Sequence, residues 1–325
     1  MNYFKYLALL SSTVLVALVS STSLPVIGSS VSKDILTKLE SNRAVALTNK
    51  PRARKPGRRG LMFPPNLNMK APSNLSSRFG GLRSPSCKQQ GDIIALLPAA
   101  QKATDLNKSD KRQVTDITHL TADPYPTVLF YLPPNSPTKA RFYLQEENKQ
   151  LVYLADVQMP NLTDNKQNGV VILNLSDVAK TNNLPELKIG KSYVWKLKLF
   201  CEDNISNIDK KSPEISGWIN RIDPKTSLKG QLGSSYINNQ DSKDPDIIAD
   251  QLNQAETKDY PTVYANNGIW YSAVSSLAQL RNNNPEDLDI KSNWKTLLDS
   301  VKLEQISDKP IIGSATIKNI QVEKK

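Results

Sequence analysis

Two cysteines and a single histidine bound the chemistry open to this 325-residue chain. A thiol or hydroxyl nucleophile needs a base within reach, and His119 is the only imidazole. It sits in "TDITHLTADP" (115–124), between Asp116 and Asp123, in a stretch that reads as a loop. The expectation is a surface histidine whose replacement leaves function and stability nearly unchanged. A Ser-His-Asp triad would have to use it, and no G-x-S-x-G elbow occurs. Histidine-rich metal sites are excluded by count, and cysteine-based zinc sites by having only two thiols. "SNWK" (292–295) matches S-x-x-K, but Ser292 as a helix cap accounts for it without chemistry. No P-loop, dinucleotide fingerprint or EF-hand loop is present, so no small-molecule cofactor is expected. Catalysis by a pair of carboxylates stays open, since any two acids could converge in the fold.

The elements that would position these residues begin after an export signal. Lys5 precedes an apolar run from Tyr6 to Val19, and small residues follow to Ser23, so residues 1–23 read as a signal peptide cleaved after Ser23. The run is short for a membrane span of about 20 residues, which disfavours an uncleaved anchor. The charge is placed unevenly. Of the net +11, residues 33–90 carry +11, residues 1–32 carry +1 and residues 91–325 carry −1. Residues 24–90, with "NKPRARKPGRRG" at 49–60, show no helical or strand period and read as a disordered basic arm. Arg52, Arg54, Lys55, Arg58 and Arg59 are its candidate contacts for an anionic surface. No aromatic residue is interleaved with them, so nucleic acid is not the expected partner; a plain solvated tether is the alternative.

Residues 91–223 break into seven strand-like runs at 92–98, 126–133, 140–146, 150–159, 169–175, 191–201 and 214–222. In the sixth, Tyr193, Trp195, Leu197, Leu199 and Cys201 alternate with residues that include Lys196 and Lys198, the period of a strand with one buried face. "PTVLFYLP" is apolar on both faces and reads as central, and "EENK" (146–149) as a hairpin turn. About seven short strands point to an antiparallel Ig-like β-sandwich. Residues 224–310 read as a helical cap. Its stretch "YANNGIWYSAVSSLAQLRNNNP" (264–285) resembles one tetratricopeptide unit, a helical hairpin, and is followed by a helix with Trp294, Leu297, Leu298 and Val301 on one stripe. Residues 311–325 read as a C-terminal tail. The fold class is thus mainly β with an α-helical C-terminal part.

Cys201 ends a buried row, and Cys87 lies just before the first expected strand. In an exported chain, two cysteines so placed read as a disulfide. It closes a loop of about 114 residues, for which chain entropy gives roughly 4–5 kcal/mol.

Six motifs then occur in order: "PGRR" (56–59), "GGLRSPSC" (80–87), "YPTVLFYLP" (125–133), "YVWKLKLFC" (193–201), "GWINRI" (217–222) and "NGIWYSAVSSLAQLR" (267–281). Together they resemble a cyanobacterial family of exported proteins known as domain of unknown function 928 (DUF928), over about residues 55–310. About twenty residues, Gly60 to Phe79, separate the basic motif from a glycine run shortened to Gly80–Gly81, which departs from the family's pattern. The resemblance implies an envelope or extracellular setting, either periplasmic or outside the cell. It implies no assigned activity and transfers no catalytic residue. The expected function is therefore a non-catalytic binding or adaptor module for another exported protein, a surface glycan or an anionic surface. The alternative is a carboxylate-dependent hydrolase acting on envelope glycan or peptide.

Overall fold

The alternating row of residues 191–201 lies on a strand, Ser192–Phe200, as its period requires, with Tyr193, Trp195, Leu197 and Leu199 all buried. It belongs to a computed structural model that describes residues 60–63, 69–70, 91–98, 117–160, 168–200, 212–232 and 247–323. The signal segment 1–23, the cationic residues Arg52, Arg54, Lys55, Arg58 and Arg59, and both cysteines, Cys87 and Cys201, lie outside the described residues.

The strands are β1 (Met69–Lys70), β2 (Ile94–Ala95), β3 (Ile117–Thr121), β4 (Thr127–Leu132), β5 (Lys139–Glu146) and β6 (Leu151–Gln158). They continue with β7 (Gly169–Asn174), β8 (Ser192–Phe200), β9 (Glu214–Arg221), β10 (Ile311–Ser314) and β11 (Thr316–Val322). One sheet runs β1-β3-β9-β8-β5-β6-β11 and the other β10-β7-β4-β2. All seven expected strands are present, and every pairing among them is antiparallel. The β5–β6 connection is the expected hairpin, closed by Lys149 N donating to Glu146 O, with Lys149 at φ 69°. The strands that the periodicity did not indicate bring in two parallel pairings, β3 with β9 and β10 with β7. The arrangement is therefore mixed rather than purely antiparallel. Residues 311–322, expected as a tail, supply β10 to one sheet and β11 to the other.

Both sheets contribute to one hydrophobic core, which includes Phe130 and Val171 from the smaller sheet and Phe142, Trp195 and Ile219 from the larger. Strands β4 and β7 are buried on both faces, which is why their sequences lack alternation. The even positions of β8 are not all solvated. Phe200 is buried, and the Arg141 guanidinium lies 5.7 Å from its ring centre while bonding Asp156 at 2.7 Å. Gly217 on β9 is required by close approach: a Cβ there would lie 2.5 Å from Leu97 Cδ1 and 2.9 Å from Trp195 Nε1.

Seven α-helices occur among the described residues, with a 3-10 turn at Thr257–Asp259: α1 (Ser176–Ala179), α2 (Leu228–Leu232), α3 (Ile248–Gln254), α4 (Tyr260–Asn266), α5 (Trp270–Asn283), α6 (Leu288–Ser300) and α7 (Glu304–Ser307). Pro261 starts α4, and Gly268 at φ 71° turns the chain into α5. The α6 stripe is buried as expected, with Trp294, Leu297 and Leu298 fully enclosed. Its cap is Asp287, whose carboxylate accepts from the backbone of Asp289 and Ile290. Ser292 lies inside the helix and is not the cap, since the helix starts at Leu288, one turn earlier than the apolar stripe suggests.

Two parts of the expected disordered arm are ordered, the first being β1, which pairs with β3, and the second residues 60–63. Leu61 and Phe63 are buried in the main core, where Phe63 meets Trp270 edge-on at 5.0 Å. Leu61 N donates to Asn293 Oδ1 and Phe63 N to Ser300 Oγ, both on α6. Two apolar residues two and four positions beyond Arg59 carry too little period to be read as anchored.

Candidate functional site

Three consecutive residues at the start of α5 fasten that helix to its surroundings. Trp270 Nε1 donates to Leu96 O at 2.9 Å, and Tyr271 Oη donates to Trp218 O at 3.1 Å. Ser272 Oγ donates to Asp123 Oδ2 at 2.8 Å. Asp123 lies two residues beyond the end of β3 at Thr121. The carboxylate is held from two sides, because Thr121 Oγ1 also donates to Oδ2, at 3.3 Å. Ala122 N donates to Ser272 Oγ at 3.0 Å, and Asp123 N to Thr121 Oγ1 at 3.1 Å. An anionic group at the first turn of a helix also meets the positive end of its dipole.

This cluster forms the floor of an open cleft of about 250 Å³. Its walls include Tyr125, Tyr260 and Tyr264, the amides of Asn174 and Gln279, and hydroxyls such as Ser276. Burial, then the negative charge of Asp123 and then Tyr260, pushes the Tyr264 phenol up to about 12. Tyr264 therefore stays protonated and can donate. Tyr125 Oη is engaged by Leu184 O at 3.2 Å, and Thr127 Oγ1 by Asn174 Oδ1 at 3.2 Å. Asp123 Oδ1 and the Tyr264 hydroxyl have no protein partner among the described residues.

His119 is not a surface loop residue. It lies on β3, 4% exposed, with its ring 6.3 Å from that of Tyr271. Burial lowers its pKa to about 3, so it is neutral, and its Nε2 has no hydrogen-bond partner among the described residues. The error has a physical origin: the parallel ladder to β9 and the packing of α5 bury this strand, and neither is visible in a local pattern. His119 is not among the residues lining the cleft. A hydroxyl bound directly to a carboxylate, as Ser272 is, lacks the imidazole that would take its proton to make a nucleophile. Its geometry instead holds the carboxylate in place.

Among the described residues no cluster of three histidine, cysteine or acidic side chains could hold a metal, and no helix is long and apolar enough to cross a membrane. The cleft residues escaped the sequence reading because Asp123 and Ser272 are 149 positions apart. The one local signal was the Asp123–Pro124 step just beyond β3.

No curated protein and no solved structure matches the chain significantly. A family model does match, over residues 78–311, a range that takes in the whole cleft and leaves out the anchored residues 60–63 and strand β11. By that match the chain belongs to the family described as Domain of Unknown Function (DUF928).

Proposed function

We propose that this chain is an exported, non-catalytic envelope protein, periplasmic or extracellular, that works by binding. Its folded part takes its ligand or partner at the Asp123 cleft, and Arg52, Arg54, Lys55, Arg58 and Arg59 hold an anionic envelope surface. The observation that carries this reading is the carboxylate of Asp123. One of its oxygens is fixed by Ser272 and Thr121, and the other has no protein partner among the described residues, in an open cleft. Such pre-organised polar groups reduce the ordering cost of binding. A hydrolase of the two-carboxylate type needs a second acid about 5–10 Å away, and among the described lining residues Asp123 is the only carboxylate. In this reading the sheets form an Ig-like sandwich, α4 and α5 a single tetratricopeptide-like unit, and Cys87 and Cys201 a disulfide. The Gly268 turn and the full burial of Ala273 between the helices support the second of these.

The test is co-sedimentation with vesicles of phosphatidylglycerol and of phosphatidylcholine across a salt series. Two forms are compared, the chain from residue 24 onward and the same chain lacking residues 33–59. The deletion stops at 59 because Gly60–Phe63 pack on the core. The expected result is retention by the anionic vesicles alone, lost on deletion and lost as the Debye length falls from about 10 Å at 0.1 M to about 3 Å at 1 M salt. Equal retention of both forms reduces the arm to a tether.

A further inference from the structure

We infer that the cleft is a subsite for one neutral sugar ring, read by Asp123 and Tyr264 through adjacent hydroxyls of the sugar. The inference rests on the binding reading of the cleft and names its ligand.

Size comes first. A cleft of about 250 Å³ falls below the range of about 300–1,000 Å³ that encloses drug-sized ligands. It suits a single ring, either a chain end or one unit of a longer glycan that continues into solvent. Charge comes next. The described lining contains a carboxylate and no lysine or arginine, which disfavours phosphate, sulfate and uronate groups. An arginine head would need both carboxylate oxygens for its two-pronged contact, and Oδ2 already accepts from Ser272 and Thr121.

What remains available is an acceptor with no donor capacity, Asp123 Oδ1, and a phenol that can donate, Tyr264. A vicinal diol satisfies both at once, one hydroxyl donating to the carboxylate and its neighbour accepting from the phenol. The Gln279 amide stands on the same lining and can donate or accept, whereas that of Asn174 is engaged by Thr127, Ser176 and Asp177. The tyrosine rings add apolar faces for the C–H side of a sugar. Because Asp123 is held by three hydrogen bonds with Thr121 and Ser272, and Ser272 Oγ is in turn fixed by Ala122 N, this acceptor is placed before the ligand arrives.

Isothermal titration of the full mature chain with glucose, galactose, mannose and rhamnose at high salt, which silences the basic arm, tests the inference. At least one of these sugars is expected to bind. Tyr264→Phe should weaken that binding about tenfold, the effect of one lost hydrogen bond, while leaving the denaturation midpoint in place. Asp123→Asn should weaken it at least as much; should that variant fail to fold, Tyr264→Phe alone decides. Binding of none of the four, binding indifferent to Tyr264→Phe, or preferential binding of n-butylammonium as a lysine mimic would each overturn the inference. Failure here with salt-sensitive sedimentation intact leaves the envelope-binding reading standing, and the opposite pair of results does the reverse.

Discussion

Trp195 Nε1 donates to Tyr271 Oη at 2.6 Å, and the same hydroxyl donates onward to Trp218 O at 3.1 Å. One phenol thus joins the first turn of α5 to two neighbouring strands, β8 and β9, inside the core. Burial raises its pKa, so the hydroxyl is never lost to ionisation in the folded state. Since Ser272 is the next residue, the pin also sets where Asp123 is held. Tyr271→Phe leaves the Trp195 N–H buried with no acceptor and should destabilise the protein by about 1–3 kcal/mol. Urea denaturation of the two proteins measures this. A difference within about 0.5 kcal/mol, the usual size of a neutral surface change, would show that the link does not hold the helix.

His119 gives the protein a pH dependence with a definite sign. Its folded pKa, lowered to about 3 by burial, lies below the value of 6.5 for a free histidine. The unfolded chain therefore binds more protons as the pH falls, and stability drops with it. The contribution is fully present above about pH 6.5 and is lost as the pH falls toward 3. Between pH 7 and pH 5 this one group should cost about 2 kcal/mol. His119→Phe, which cannot titrate, should remove that slope while carboxylates still dominate below pH 5. Stability measured at pH 7, 6 and 5 for both proteins checks the difference; parallel curves would mean that His119 protonates in place.

How far the sequence could be read depended on whether burial was local or long-range. The alternation of β8 and the two-sided apolar run of β4 are properties of consecutive residues, and both strands were legible. β3 was not, because "ITHLT" owes its burial to pairing with β9 and to α5. β11 was hidden differently. The pairing register shifts between Lys318 and Ile320, and Asn319 takes φ 48°, so Ile317 and Ile320 fall three apart and the strand period disappears. The cleft was illegible for the same reason as β3: its carboxylate and the serine that fixes it belong to elements far apart in the chain.

Phe63 marks where the basic arm meets the fold. It is 6% exposed and packs against Trp270, and Gly60 lies so close to Thr296 that a Cβ there would be 2.8 Å from the threonine Cβ. Phe63→Ala should cost about 3 kcal/mol, the lower end for a buried phenylalanine at the edge of a core. Gly60→Ala should free the segment at lower cost, since the Thr296 Cβ is fixed to the α6 backbone and cannot give way, while the Phe63 ring itself is kept. Denaturation midpoints give the first effect. Protease cleavage between residues 60 and 64, slow in the parent and fast in Gly60→Ala, gives the second. Unchanged cleavage would mean that the contact with α6 does not restrain the arm.

The disulfide proposed between Cys87 and Cys201 can be tested on the same protein. Cys201 directly follows Phe200, the buried last residue of β8, so one end of the bridge would be tied to the core. The other end would close a loop of about 114 residues, for which the chain-entropy model gives roughly 4–5 kcal/mol, with native strain subtracting from it. The expected results are that neither thiol is alkylated in protein denatured without reductant, that both are alkylated after reduction, and that reduction lowers the denaturation midpoint. The loss should act through the unfolded state, so spectra of the folded protein should change little. Alkylation of both cysteines before reduction, in protein recovered from an oxidising compartment, would remove the bridge.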